Sequence, residues 1–314
     1  KEGSQRAAAL SKKTYDAGMF AGGTDATFIK GLRQKKSVVT EYKSPNEYYP
    51  SLWLNQTKVG SPFSSKNARL AVISCIDRVN YAKVRTRGES IVAKSLVGPS
   101  NPMYTTRGFT KFDVDASKAF VAAWQAEAGN AGKTLTFTLP ADTSGASQAN
   151  VKFLQQQWAK CGITANMVVE EGGPIIAKTF NPAKAGGEQN GYDAIAILLY
   201  EGTDVTFNLP FTVTNAFPAT STNPIAPFFR GSLGALLSLN HHTDTVVDKF
   251  FYDGQASQTK AGAKAQYAAG TAYLQENGFS TSIGHGYYTF FAGKKLGGIG
   301  KLQIEKGKSQ RLVT

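Results

Sequence analysis

The chain has 314 residues, of which 41% are hydrophobic and 18% charged, and it includes 19 Phe, 13 Tyr and 3 Trp. So many large apolar side chains can form a buried core, which excludes a disordered tail, a coiled coil or a disulfide-rich mini-protein. With roughly 150 residues per domain, the length predicts about two domains. No apolar run approaches the roughly 18 residues that a membrane-spanning helix needs.

The cationic excess is concentrated at the two ends of the chain. Lys and Arg number 35 against 22 Asp and Glu, a net charge of +13. Residues 1–60 hold ten cations and five acids, and residues 293–314 hold six and one, so each end carries +5 and the middle only +3. Nucleic-acid-binding surfaces usually combine clustered cations with stacking aromatics. That pattern is missing, so we expect a solvated basic surface or one that faces an acidic partner, with an anionic membrane as the alternative.

The first part of the chain predicts a short helix over residues 5–13 and strands over residues 37–42 and 49–55. The run Gly22-Gly23-Thr24-Asp25 predicts a turn or a helix cap. A helix then begins near Pro62, because apolar residues recur at helical spacing. These residues are Ala68, Ala71, Val72, Cys75 and Ile76.

The middle of the chain alternates predicted helices and strands. A helix over residues 116–128, capped by Asp113 or Asp115 and ended by Gly129, precedes a strand over residues 133–139. A helix from Ser144 or Ser147 to Lys160 follows, and then a strand over residues 163–169. The inner face of this helix carries Val151, Leu154, Trp158 and Cys161, and Gly162 ends it.

The last third predicts a strand over residues 192–199 that is covered on both faces, because it is almost entirely apolar. Residues 207–239 form a long irregular region, and loops of that length usually have a function. Helices over residues 244–252 and 261–274 and a strand over residues 284–291 complete the chain. This alternation after residue 62 predicts an α/β fold.

Cysteine and histidine do not form a recognisable catalytic pattern. Cys75 and Cys161 each lie on an apolar helix stripe, so they are either core thiols or, if the two helices pack together, a disulfide. The adjacent His241 and His242, on a loop beside Asp244, are more typical of exposed residues than of metal ligands. His285 starts the last strand, where a structural role is expected.

The sequence also lacks the motifs of nucleotide-binding loops and of common hydrolases. Gly132-Lys133-Thr134 has Glu127 where a phosphate-binding loop needs glycine, and it precedes a strand instead of a helix. No Gly-x-Ser-x-Gly or His-Glu-x-x-His motif occurs. We therefore expect no enzyme; a hydrolase or transferase that pairs a Ser or Cys nucleophile with His285 is the alternative.

Five segments in the same order resemble the extracellular solute-binding proteins of family 5. The most specific begins with Pro62-Phe63 and ends with Cys75-Ile76-Asp77-Arg78, where the family usually has Ala at the position of Cys75. The others are the strand of residues 48–55, the helix that starts Asp115-Ala116-Ser117 and closes Glu127-Ala128-Gly129, residues 153–163, and Tyr192-Asp193-Ala194.

The family comprises the oligopeptide, dipeptide and nickel receptors of ABC importers, and the resemblance implies a non-enzymatic, cofactor-free receptor of this kind with a peptide as the expected ligand. A related receptor for a metal chelate or a sugar is the alternative. It implies a two-lobed periplasmic-binding-protein-like fold in which the ligand lies between the lobes. Residues 62–280 would form one nearly complete lobe, and residues 1–61 and 281–314 would belong to the other, whose N-terminal segment precedes this chain in longer relatives.

The resemblance also implies partners, location and site residues. The partners would be a peptide or another small solute and the membrane subunits of the transporter, outside the cytoplasm, with any lipid anchor beyond these residues and with no nucleic acid. The ligand would contact the stretch after the buried strand, with an aromatic wall and an anion for a peptide amino group. The candidate ligand-binding residues are Tyr200, Glu201, Thr203 and Asp204, and Arg230 for a ligand carboxylate.

Overall fold

The computed structural model describes residues 3–45, 48–99, 101–179, 191–200, 211–214 and 238–297. These residues form a mixed α/β structure, which confirms the predicted fold class. In chain order the elements are α1 (Gly3–Ser11), β1 (Ala17–Ala21), α2 (Gly22–Arg33), β2 (Val39–Pro45), β3 (Tyr48–Leu54), a 3-10 helix (Pro62–Ser64), α3 (Lys66–Ser74), α4 (Arg78–Val84), β4 (Ser90–Val92), α5 (Val114–Gln125), β5 (Leu135–Ala141), α6 (Gly145–Ala159), β6 (Ile163–Val169), α7 (Gly172–Thr179), β7 (Ala194–Tyr200), α8 (Thr245–Ala256), α9 (Lys260–Glu276), β8 (Ser280–Ser282) and β9 (Gly284–Gly293).

The first and last strands share one antiparallel sheet, the terminal sheet, which consists of β1, β2, β4 and β9. Strand β9 lies between β1 and β2, and β4 pairs with the start of β9. Helices α1 and α2 pack on one face because the alternating inward side chains of the strands need an apolar cover. Their shared core consists of Leu10, Phe20, Ile29, Leu32, Val39 and Phe291.

The middle of the chain forms a second layer of strands. Strand β3 pairs antiparallel with both β7 and β8, and these three form the central sheet. Strands β5 and β6 form a parallel pair connected by α6, with Leu135 opposite Ile163. The predicted inward residues Leu135, Phe137 and Leu139 are each at most 1% exposed. The alternation in the sequence thus identified the buried face of β5 correctly.

The largest hydrophobic cluster joins β3, β5 and β6 to α3, α5 and α6. The ring of Phe137 contacts those of Phe63 and Trp158 edge to face, each at 5.1 Å between centroids. The predicted caps are present: Asp113 accepts the amide of Ala116 at the start of α5, and Ser144 caps α6. Such caps contribute about 1 kcal/mol each.

Cys75 and Cys161 form a disulfide, with 6.4 Å between their Cα atoms. Cys75 directly follows α3, and Cys161 lies just beyond α6, so the bridge joins the ends of the two helices. Both residues belong to the largest hydrophobic cluster. Of the two readings that the sequence left open, the structure therefore contains the disulfide.

Two direct connections join the terminal sheet to the central sheet. Strand β2 leads into β3, and β8 leads into β9 through Ile283. The two sheets have separate hydrophobic clusters. Among the described residues, the core of the terminal sheet contains none between 40 and 290. The lobe boundaries at 61/62 and 280/281 remain a prediction.

Three helices were not predicted. The run Gly22-Gly23 was interpreted as a turn or cap, but it begins α2. Helix α4 follows directly after Asp77, its N-cap, where no separate helix was expected. The third, α7, begins Gly172-Gly173-Pro174, a start that gives little helix signal because glycine is a poor helix former. The structure of the predicted irregular region, residues 207–239, lies outside the described residues except for 211–214 and 238–239. Among the described residues, no helix combines the length and apolarity that a membrane crossing would require.

Candidate ligand-binding groove

A groove with a cavity volume of about 500 Å³ lies between the end of β5, the first half of β7 and the helices α6 and α7. In α/β proteins, ligands bind preferentially at the carboxyl ends of the strands. The volume lies within the range of roughly 300–1,000 Å³ that is typical of small-molecule sites. The groove is lined by Tyr81, Pro140, Asp142, Ser144, Ala146, Ser147, Asn150, Val151, Leu154, Gly172, Ile175, Ile176, Ile195, Ala196, Ile197 and Ile283.

The groove lies beside β5 and β7, which contact each other but belong to different ladders. Asp193, just before β7, is bonded to the middle of β5: its Oδ2 accepts hydrogen bonds from the backbone N–H and the hydroxyl of Thr138, both at 2.7 Å. Two residues further on, β5 has Pro140, which has no N–H to donate. Pro140 and Ile195 both line the groove.

Asp193 belongs to the Tyr-Asp-Ala motif, and its carboxylate links the start of β7 to β5 beside the groove. Its Oδ1 also accepts a hydrogen bond from Lys58 Nζ at 2.6 Å. We expect Asp193→Asn to lower the free energy of unfolding by about 2–3 kcal/mol, because the amide loses a charge-assisted bond and cannot satisfy all three donors. Denaturant unfolding measures the change.

Asp253→Asn is the matched control for Asp193→Asn. Asp253 pairs with Lys249 at 2.7 Å on an exposed surface of α8, with a carboxylate side chain 42% exposed. Exposed pairs contribute about 0–1 kcal/mol, so this variant is expected to unfold almost like the parent. Equal losses in the two variants would show that Asp193 does not have the structural role described here.

One wall of the groove is apolar. Isoleucines from β7 and α7 form it, with Ile195 and Ile175 almost fully buried and Ile176 46% exposed at the opening. Tyr81 contributes a ring on the other side, and burial raises the pKa of its phenol to about 12, so this ring is uncharged at ordinary pH. A solute in the groove therefore meets a predominantly aliphatic surface.

The polar side of the groove is the start of α6. The amide N–H of Asp142 donates to the Ser147 hydroxyl oxygen at 3.1 Å, and Asp142 Oδ1 accepts the amide of Ser144 at 2.7 Å. Asn150 accepts a hydrogen bond from Arg85 at 2.8 Å. Asp142 is the one charged side chain among the described lining residues.

The groove faces the crossing between the two sheets. Ile283, which lines it, lies between β8 in the central sheet and β9 in the terminal sheet. The neighbouring Ser282 accepts a 2.9 Å hydrogen bond from the buried guanidinium of Arg78 through its carbonyl. A movement of the two sheets about this crossing would change the width of the groove.

Of the five predicted site residues, the structure describes only the backbone of Tyr200. Tyr200 is the last residue of β7, and its backbone pairs with Tyr48. Glu201, Thr203, Asp204 and Arg230 lie outside the described residues. The strand predicted over residues 192–199 is present as β7, and it lines the groove through residues 195–197. The ligand-binding role of the residues that follow it stays a prediction.

Sequence reasoning did not identify the other lining residues. Asp142 lies in the loop after β5, and Ile176 lies in the unpredicted helix α7 after β6. Residues that follow parallel strands converge at one sheet edge, so the ends of β5 and β6 contained the available signal.

The expectation that His241 and His242 are exposed is wrong: they are 7% and 4% exposed. His242 Nε2 donates to the Thr212 carbonyl at 2.6 Å, and its Nδ1 accepts the Asp244 amide at 3.2 Å. His241 Nε2 lies 3.0 Å from the Thr179 carbonyl. These carbonyls come from distant parts of the chain, which a local pattern does not reveal.

The buried His242 makes stability depend on pH. Burial lowers its pKa, outweighing the opposite effects of the Thr212 carbonyl, Asp248 and Asp244, while Arg69 also lowers it. The unfolded chain then binds a proton below about pH 6.5 that the folded chain binds only at lower pH, so stability falls as the pH falls. We expect the unfolding free energy to decrease less between pH 7 and 5 in His242→Gln than in the parent, measured by urea unfolding at each pH. An identical pH dependence in both proteins would contradict this.

No metal site is formed by the residues that the structure describes. They contain no group of three or more His, Cys, Asp or Glu that could hold a metal. Both cysteines are in the disulfide and thus lack a thiolate. His285 is buried in β9, 3% exposed, as expected for a structural residue.

The two sheets, their crossing strands and the groove define a two-lobed α/β architecture of the periplasmic-binding-protein type. The sequence profile of the bacterial extracellular solute-binding proteins, family 5 (middle), matches residues 1–223. The chain belongs to this family, which confirms the resemblance found in the sequence. A comparison with curated proteins gave no match.

Solved structures share the fold at low sequence identity. A putative peptide binding protein AppA from Clostridium difficile is 16% identical, with a TM-score of 0.72, 96% of this chain covered and 56% of the other. NikZ from Campylobacter jejuni, in complex with Ni(L-His), is 16% identical, with a TM-score of 0.71 and coverages of 95% and 56%. The oligopeptide-binding protein AppA from Bacillus subtilis, in complex with a nonapeptide, is 16% identical, with a TM-score of 0.68 and coverages of 95% and 55%. The chain thus spans about half the length of these proteins.

Proposed function

We propose that this chain forms part of the solute-binding component of an ABC importer and that a peptide is its ligand. The observation that carries the proposal is the groove of about 500 Å³ beside β5 and β7 in a chain of family 5. Two family neighbours are described as peptide-binding, one of them in complex with a nonapeptide. The groove would hold part of the ligand, and Tyr200, Glu201, Thr203, Asp204 and Arg230 would complete the site.

Capture is proposed to occur by closure of two lobes. Residues 62–280 would form one lobe, and residues 1–61 and 281–314 would belong to the other. The separate core of the terminal sheet supports this division, since it draws only on residues 10–39 and 291. Closure about the crossings at β2–β3 and β8–β9 would cover the groove from the side of the terminal sheet, as in hinged binding proteins.

We propose that the protein works outside the cytoplasm, on the outer side of the membrane that holds its transporter subunits. The Cys75–Cys161 disulfide supports this location, because disulfides form and persist mainly in oxidising compartments. Attachment to the membrane would occur through those subunits or through a lipid anchor.

The proposal is tested by identifying the solute that the protein carries. The full-length protein is purified under native conditions and denatured, and the released small molecules are identified by mass spectrometry. A released peptide that binds again with micromolar affinity or tighter in calorimetry is the expected result. A released sugar or metal chelate, which rebinds while peptides do not, would contradict the peptide assignment.

A further inference from the structure

The groove has a distinctive aliphatic wall. This wall is built from Ile175 and Ile176 of α7, Ile195 and Ile197 of β7, and Ile283 between β8 and β9. The other large lining side chains, Val151, Leu154, Pro140 and Tyr81, are apolar or uncharged. The only charge among the described lining residues is the carboxylate of Asp142, on the polar side.

The exposed Ile176 is the most informative of these residues. It is 46% exposed, whereas its neighbour Ile175 on the same helix is 8% exposed and belongs to a hydrophobic cluster. The core therefore does not require an isoleucine at position 176. An aliphatic side chain at the opening of a concave, largely apolar space gains free energy when a ligand removes it from water.

A charged ligand group would be poorly accommodated against this wall. Transferring a charge from water to an aliphatic surface without a partner costs several kcal/mol. Arg85, which contacts the lining residues Asn150 and Ala146, is already hydrogen bonded to Asn150 at 2.8 Å and to the Ala146 carbonyl at 3.3 Å. The polar edge that contains Asp142 can only favour neutral or positively charged groups.

We propose that the groove selects solutes by an uncharged, apolar group, such as an aliphatic or aromatic side chain, and that Ile176 is a specificity-determining residue. This inference rests on the proposed function for the identity of the ligand as a peptide. The apolar chemistry of the groove is independent of the proposed function, because any ligand in the groove would contact the same side chains.

The first arm of the test uses an uncharged apolar fluorophore, N-phenyl-1-naphthylamine, with the full-length protein. Its dissociation constant is expected to rise about tenfold or more in Ile176→Asp and by a smaller factor in Ile176→Ala, as for the loss of a few apolar contacts and the gain of a charge. The matched control is Val246→Asp, since Val246 is 47% exposed on α8 and does not line the groove. An unchanged constant in Ile176→Asp, or an equal change in Val246→Asp, would overturn the inference.

The second arm uses tripeptides Ala-X-Ala with X as Leu, Phe, Ala, Lys or Asp, titrated by calorimetry. The Leu and Phe peptides are expected to bind at least about tenfold more tightly than the Lys and Asp peptides, and Ile176→Asp should reduce this preference. Peptides that bind without such a preference would overturn the inference and leave the proposed function intact. If no peptide binds but the fluorophore responds as expected, the peptide function is wrong and the apolar specificity of the groove is supported.

Discussion

Replacing both cysteines, Cys75→Ala together with Cys161→Ala, is expected to lower the free energy of unfolding by about 4–5 kcal/mol. The bridged residues are 86 positions apart, so the bond restricts a long loop of the unfolded chain. That restriction, more than any contact in the folded state, accounts for the estimate. Denaturant unfolding of the oxidised parent and the double variant measures the difference.

Reducing agent provides the matched control for this prediction. It should lower the unfolding midpoint of the parent towards that of the double variant, and it should leave the midpoint of the double variant unchanged. Both cysteines are buried, at 1% and 2% exposure, so reduction is expected to require partial unfolding and to be slow without denaturant. A double variant as stable as the oxidised parent would contradict the prediction.

Arg78→Met is expected to lower the free energy of unfolding by about 3–5 kcal/mol, because buried acceptors would lose their donors. The Arg78 side chain is fully enclosed, and burial lowers its pKa to about 10, so it is still charged at neutral pH. It donates to the carbonyls of Ser282 and Thr110 and to the hydroxyl of Thr281 at 2.7–3.2 Å. Its guanidinium also lies 4.7 Å from the ring centre of Phe109.

Arg107→Met separates the effect of burial from that of charge. Arg107 pairs with Glu276 at 3.0 Å, but its side chain is 75% exposed, so this variant is expected to change stability by less than about 1 kcal/mol. Both variants remove one positive charge, and thermal or chemical unfolding compares them directly. Arg78→Met as stable as Arg107→Met would show that the bonds to β8 contribute little.

Arg78 also explains why the sequence motif that begins Pro62-Phe63 is informative. Arg78, the last residue of the motif, connects α4 to β8 by hydrogen bonds next to the crossing into the terminal sheet. Asp77 caps α4 by accepting the Asn80 amide at 2.9 Å. The motif thus encodes a junction between elements that are about 200 residues apart in the chain.

Prediction from the sequence succeeded where the information was local. The unit β5–α6–β6 was predicted nearly in full, because alternation marks β5, Ser144 caps α6, and Gly162, with a φ of +75°, ends the helical segment. The inner residues of α6, Val151, Leu154 and Trp158, are all buried as expected. Each of these signals acts within a few residues of the chain.

Prediction failed where distant residues decide the outcome. Helix α2 begins at two glycines, which disfavour helix, yet Ile29 and Leu32 are buried against Phe20 and Phe291 of the terminal sheet. Tertiary packing overrides a weak local preference in such a case. The burial of His242 follows in the same way from the Thr212 carbonyl, 30 residues away.

The amino-acid sequence alone determined the family and most of the helices and strands, because periodicity, caps and motifs are properties of neighbouring residues. It did not reveal α2, α4, α7 or the strands β1, β4 and β8. The groove was decided only by the tertiary structure. Asp142, Ile176 and Ile197 belong to separate parts of the chain, and the packing of these parts brings them to one groove. No local pattern specifies this arrangement, since it depends on the hydrogen bonds and the packing of the whole layer of strands.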